Sequence, residues 1–153
     1  MKNLVLFFAL VFMTVTAFGQ KVNFSGDWNL NESKSELGYE FSLAPKAMKV
    51  EHTKKTLDIT SVSEWEGQEM ESKAHYTLDG EETENIGLME SVTISTADFD
   101  KKTGSLKIVT KGSVEGMDYT LTQTMSMNED VLKVNSEATS DMGEMIETFI
   151  FEK

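Results

Sequence analysis

The feature that most constrains this chain is an alternation of apolar and polar side chains with a period of two residues. It is clearest between residues 117 and 127, and it recurs in 48–52, 57–65, 70–78, 106–114 and 132–138. A period of two is typical of β-strands that bury one face and leave the other in water. The sequence therefore predicts a chain made mainly of half-buried strands.

Short turn signals separate these runs, among them Glu66-Gly67-Gln68, Asp79-Gly80 and Glu115-Gly116. Short connections favour antiparallel hairpins, because parallel strands need a crossover of about a dozen residues or more. Less regular pieces at 24–30, 81–86, 89–99 and 145–151 bring the expectation to about ten strands in sequential order. One or two helical turns, capped by Asn31 or Ser33, are expected within 31–38.

A meander of this length would leave two long unpaired edges, and closing the sheet into a barrel removes them. The strand faces opposite the apolar ones carry Lys, Glu, Asp, Thr and Ser, so the apolar face points inward and the barrel does not span a membrane. We predict one all-β domain over residues 20–153, an up-and-down antiparallel barrel of about eight to ten strands. A β-sandwich has the same periodicity and stays open as the alternative.

Residues 1–19 have the pattern of a cleaved signal peptide. Lys2 precedes an apolar run over 4–15, and Ala17-Phe18-Gly19 offers small residues at a cleavage site before Gln20. We therefore expect a secreted or periplasmic protein, with a retained N-terminal anchor as the alternative. The chain has no cysteine, which excludes both a lipidated cysteine and a disulfide framework.

Charge and composition exclude several function classes. The chain has 14 Lys, no Arg and 26 acidic residues, for a net charge of −12, so its surface repels nucleic acid and anionic lipid headgroups. The two histidines, His52 and His75, fall on opposite strand faces and predict no metal site. No nucleophile elbow or phosphate-binding loop is present, and we expect no cofactor, no enzymatic activity and a monomeric state.

The segment Phe24-Ser25-Gly26-Asp27-Trp28-Asn29-Leu30 opens the first predicted strand. Its Gly26-x-Trp28 motif resembles the opening motif of the lipocalins and of the wider calycin group, including fatty-acid-binding proteins. The following residues to Ser35, and then Ala44-Pro45-Lys46, look like small lipocalin-like proteins exported by bacteria.

The resemblance implies a ligand-binding barrel in which Gly26 and Trp28 belong to one closed end. The lipocalin pattern also places an arginine against the tryptophan. This chain has none, and we expect Lys153 or Lys133 in its place.

The strand faces predicted to point inward combine methionine and aromatic side chains with Ser, Thr and Gln. Methionines adapt to varied apolar shapes, and a few polar groups in an apolar cavity orient a ligand. This pattern favours a pocket, whereas a core filled by the methionines is the alternative. The predicted ligand-binding residues are Met70, Tyr76, Thr110, Tyr119, Gln123, Met125 and Met127.

The leading functional hypothesis is an exported binding protein that holds a small lipophilic or amphipathic molecule inside the barrel. The second is an interaction or inhibitor protein with a solid core that uses its acidic surface and loops. The third, an enzyme such as an isomerase or hydratase of lipid-like substrates, has no clustered acid, base or nucleophile behind it. A continuous cavity inside the barrel would separate the first hypothesis from the second.

Overall fold

The computed structural model describes residues 22–38 and 41–153, and these residues form ten strands and two short 3₁₀ helices. The strands are β1 (Gly26–Leu30), β2 (Ala47–His52), β3 (Thr56–Trp65), β4 (Gln68–Thr77), β5 (Thr83–Ile86), β6 (Val92–Asp100), β7 (Ser105–Val114), β8 (Met117–Asn128), β9 (Val131–Ser140) and β10 (Gly143–Glu152). The 3₁₀ helices are Glu32–Lys34 and Leu88–Glu90. The predicted signal peptide and Gln20 lie outside the described residues.

All ten strands belong to one antiparallel sheet in the order β4-β3-β2-β1-β10-β9-β8-β7-β6-β5. Neighbours in the sheet are neighbours in sequence, except that β1 pairs with β10 through partners such as Leu30 and Phe151. The sheet curls into a nearly closed up-and-down barrel. The predicted fold class is thereby confirmed, and the sandwich is excluded because a single sheet carries every described strand. The predicted helical turn is also present, with the Asn31 side chain accepting a hydrogen bond from the Lys34 N–H.

The barrel closes where its edge strands, β4 and β5, meet. The side-chain carbonyl of Asn85 accepts a hydrogen bond from the His75 N–H at 2.7 Å, and its amide group donates to the His75 carbonyl at 3.0 Å. One side chain therefore satisfies both backbone groups that a further strand would have paired. Nearby, the Gly80 N–H donates to the Ala97 carbonyl at 3.2 Å and ties the β4–β5 turn to β6.

The two ends of the barrel differ. We call the end with the turns at 53–55, 78–82, 101–104 and 129–130 the base, and the end with the turns at 66–67, 87–91, 115–116 and 141–142 the mouth. Large buried apolar side chains fill the base half and form the core. They include Phe24, Trp28, Val50, Leu57, Leu106, Leu132 and Phe151.

Trp28 closes the base. It is 1% exposed, and its indole N–H donates a hydrogen bond to the Phe24 carbonyl at 2.9 Å. The ammonium of Lys153 lies 5.1 Å from the centre of the indole ring, within the range of a cation–π contact. A Cβ on Gly26 would lie 3.2 Å from Cε of Lys153, so glycine leaves room for the lysine to reach the ring. Of the two lysines expected against Trp28, Lys153 contacts the ring, whereas Lys133 is exposed on β9.

Trp28→Ala should lower the free energy of unfolding by about 3 to 5 kcal/mol, because it removes the largest buried side chain and leaves a cavity. Urea denaturation measures the change. Trp65→Ala is the matched control, since Trp65 is 53% exposed at the mouth and its loss should cost about 1 kcal/mol or less. Equal losses in the two variants would contradict a core centred on the base.

Candidate functional site

Small hydroxyl-bearing side chains line the mouth half of the barrel on one side. The register places Ser61 of β3 opposite Met48 of β2 and Ser72 of β4, so these side chains share the inner face of the sheet. Ser61 and Ser63 are partly exposed and Ser72 is exposed. Within the described part of the chain the three hydroxyls have no hydrogen-bond partner, and they are open to solvent or a ligand.

Gln123 lies where the filled base passes into the mouth. Its cross-strand partners are Ile108 of β7 and Ser136 of β9, which are 1% and 2% exposed. The Gln123 side chain itself is partly exposed, and its amide has no hydrogen-bond partner among the described residues. It offers both donors and an acceptor at the floor of the mouth.

Tyr119 closes the opposite side of the mouth. It lies across from Gly112, where a Cβ would come within 2.7 Å of the phenol oxygen, so the ring rests directly over the glycine. Burial raises the pKa of Tyr119, and a hydrogen bond with the Ser91 side chain partly offsets that rise. Through its hydrogen bond with Ser91, the neutral phenol links the connection between β5 and β6 to the barrel wall.

Glu147 is a buried carboxylate that the sequence analysis did not single out. It is 2% exposed on the inner face of β10, level with Ser136. Its two oxygens accept hydrogen bonds from the N–H groups of Gly38 at 2.8 Å and Leu43 at 3.0 Å. Both donors belong to the β1–β2 connection, so this one carboxylate holds that connection inside one side of the mouth. Its parity with Phe149 and Phe151 was the sequence signal that could have found it.

The structure brings together only part of the predicted ligand-binding set. Thr110, Tyr119 and Gln123 lie close together on β7 and β8, although the Thr110 hydroxyl is already bonded to Ser95 at 2.9 Å. Met70 lies across the mouth on β4 and is 50% exposed.

The other members of that set belong to the base. Met125 and Tyr76 are buried in the core, and Met127 packs against it. Burial raises the pKa of Tyr76 to about 12 and keeps its phenol neutral. These three side chains contribute to stability below the level of Gln123.

Two concavities formed by the described residues are open grooves. One, of about 600 Å³, lies at the mouth end of β7, β8 and β9 and is lined by Gly112 and Tyr119 together with the outer-face residues Lys111, Thr120 and Thr139. The other, of about 460 Å³, lies outside the barrel beside Asn31 and Lys153. Neither is an enclosed chamber, so neither is the continuous cavity inside the barrel that the first functional hypothesis predicts.

The histidines are engaged elsewhere. His52 accepts a hydrogen bond from the Phe24 N–H at 3.2 Å and stacks on the Phe24 ring at the base, whereas exposed His75 pairs with Asp58 at 2.6 Å. No cluster of three or more metal-binding side chains occurs among residues 22–38 and 41–153. Over the same residues, no helix has the length and apolar character needed to cross a bilayer.

Comparison of the chain with models of known protein families finds no match, and comparison with curated protein sequences finds none either.

Glu147→Ala should release the β1–β2 connection, because two backbone N–H groups lose a charged acceptor worth about 1.5 to 3 kcal/mol per bond. Hydrogen exchange of the Gly38 and Leu43 amides should become faster, and the free energy of unfolding should fall. Glu137→Ala removes a carboxylate from the exposed face of neighbouring β9 and should change neither. Unchanged exchange at Leu43 in Glu147→Ala would show that the carboxylate does not hold this segment.

Proposed function

We propose that this chain is an exported, lipocalin-like binding protein that holds a small amphipathic molecule in the mouth of its barrel. The observation that carries the proposal is the unpartnered polar lining of the mouth. Ser61, Ser63, Ser72 and Gln123 face inward, remain accessible and have no hydrogen-bond partner in the described residues. A purely structural core gains nothing from such groups, whereas a ligand gains orientation from them.

Apolar surface for the rest of the ligand is provided around the same lining. Met70 and Trp65 extend the inner face toward the turn between β3 and β4, and the Phe41 ring meets the Trp65 ring edge to face at 5.7 Å. These side chains are roughly half exposed, so a bound molecule would bury them. The arrangement suits a ligand with one apolar part and one hydrogen-bonding part.

The charge at the mouth limits which head groups the ligand can carry. The β3–β4 hairpin carries Glu66 and Glu69 and the β7–β8 turn carries Glu115, whereas Lys46 is already paired with Glu64. A carboxylate head group would meet repulsion there, because exposed like charges repel over roughly 10 Å at 0.1 M ionic strength. A neutral or cationic amphiphile therefore fits better than a fatty acid.

Three matched amphiphiles, dodecanol, dodecylamine and dodecanoate, test the proposal by displacing the neutral dye N-phenyl-1-naphthylamine. Below their micelle concentrations, the alcohol and the amine should displace the dye more effectively than the acid. Gln123→Leu should lower the affinity for the alcohol by about tenfold, because a buried polar group that loses its partner costs about 1 to 3 kcal/mol.

Thr124→Val is the matched control, since Thr124 lies next to Gln123 in sequence but on the outer face of β8. It should leave the affinity unchanged. The proposal fails if the dye does not bind, or if both variants bind the alcohol as the unmodified protein does.

A further inference from the structure

The exposed large apolar side chains of the described residues all lie at the mouth end. They include Trp65, Met70, Met89, Met117, Met142 and Ile146, of which Met142 and Met89 are 80% and 78% exposed. Met89, Met142 and Ile146 lie on the connections and outer wall of the mouth, away from its polar lining. Exposed apolar side chains that collect at one end of a protein are typical of interaction sites, whereas scattered single ones need no explanation.

Carboxylates outnumber lysines at the same end, where Lys46, Lys73 and Lys111 lie beside the hairpins. Every ionisable side chain in 63–71, 84–92, 114–118 and 139–146 is a carboxylate, and these ranges form the mouth hairpins and the β5–β6 connection. The base is mixed, because Lys54, Lys55, Lys101 and Lys102 accompany the acidic residues of its turns. The asymmetry shows that the negative charge of the mouth is not a uniform coating for solubility.

Two of these carboxylates lie directly opposite each other on neighbouring strands. Glu64 and Glu69 are cross-strand partners at the tip of the β3–β4 hairpin, where like charges directly opposite each other are destabilising. Lys46 pairs with Glu64 and Lys73 pairs with Glu71, which leaves Glu69 and the turn residue Glu66 without a salt bridge. A cationic surface placed over the hairpin would relieve this repulsion.

We propose that the mouth end is a docking surface for a basic, amphipathic polypeptide segment. Its apolar side chains would cover Met89, Met142 and Ile146, and its lysines or arginines would pair with the surrounding carboxylates. A bilayer fits less well, because the anionic headgroups of bacterial and other biological membranes would face carboxylates at every side of the mouth. This surface goes beyond the ligand site, since it uses side chains that point away from the polar lining.

The test uses a synthetic 18-residue helical peptide of leucine and lysine, with a leucine–glutamate peptide of the same pattern as its counterpart. Binding to the purified protein is followed by fluorescence anisotropy at low and high salt. The basic peptide should bind, the acidic one should not, and high salt should weaken binding by about tenfold or more. Neutral phosphatidylcholine vesicles, tested by co-sedimentation, should leave the protein in the supernatant.

Two sets of variants locate the surface. The mouth variant combines Glu66→Gln, Glu115→Gln and Asp141→Asn and should lower the affinity for the basic peptide by about tenfold. The base variant combines Glu81→Gln, Glu82→Gln and Glu129→Gln. It makes the same change in net charge and should lower the affinity less than about twofold. A third variant combines Met89→Ser, Met142→Ser and Ile146→Ser. It should also lower the affinity for the basic peptide, without changing dye binding in the mouth.

Equal effects of the mouth and base carboxylate variants would overturn the proposal, as would binding to the neutral vesicles in place of the peptide. Gln123→Leu should bind the peptide normally. If the unmodified protein binds the peptide but not the dye, the ligand proposal alone fails; if it binds the dye but not the peptide, the docking surface alone fails.

Discussion

The packing of Trp28 across the base is the interaction on which the rest of the structure depends. The indole is hydrogen-bonded to the Phe24 carbonyl and covered by the Lys153 ammonium, and the buried aromatic and aliphatic side chains collect around it. Because apolar burial is concentrated in this half, the core does not need large side chains at the opposite end. The mouth can therefore carry serine and glutamine on its inner face without loss of a closed fold.

Period-two alternation and short turn signals were sufficient to predict about ten strands and their antiparallel order, whereas the position of Trp28 at one closed end was implied by the lipocalin resemblance. The alternation was not sufficient to predict how far each inward side chain lies from the base along the barrel axis. Met70 and Met125 have the same inward parity, yet one is half exposed at the mouth and the other is buried in the base. Parity gives the face of a side chain, whereas burial also depends on how far its position lies from the closed end.

Two polar side chains that organise the fold had no distinctive local signature. Asn85 closes the sheet by bonding both backbone groups of His75, and Glu147 binds two N–H groups of the β1–β2 connection. Each bonds to residues outside its own strand and turn, so local turn chemistry and periodicity do not identify its partner. Glu147 was accessible to reasoning only as a charged residue on the Phe149 face, where a buried carboxylate requires donors.

The central claim, that a ligand enters the mouth and leaves the base unchanged, is tested most directly by the two tryptophans. Trp65 is exposed at the mouth and Trp28 is buried at the base. Saturating the protein with dodecanol should shift its tryptophan emission to shorter wavelength, and the shift should vanish in Trp65→Phe, which retains only Trp28. A shift of the same size in Trp65→Phe would place the ligand in the base and contradict this account.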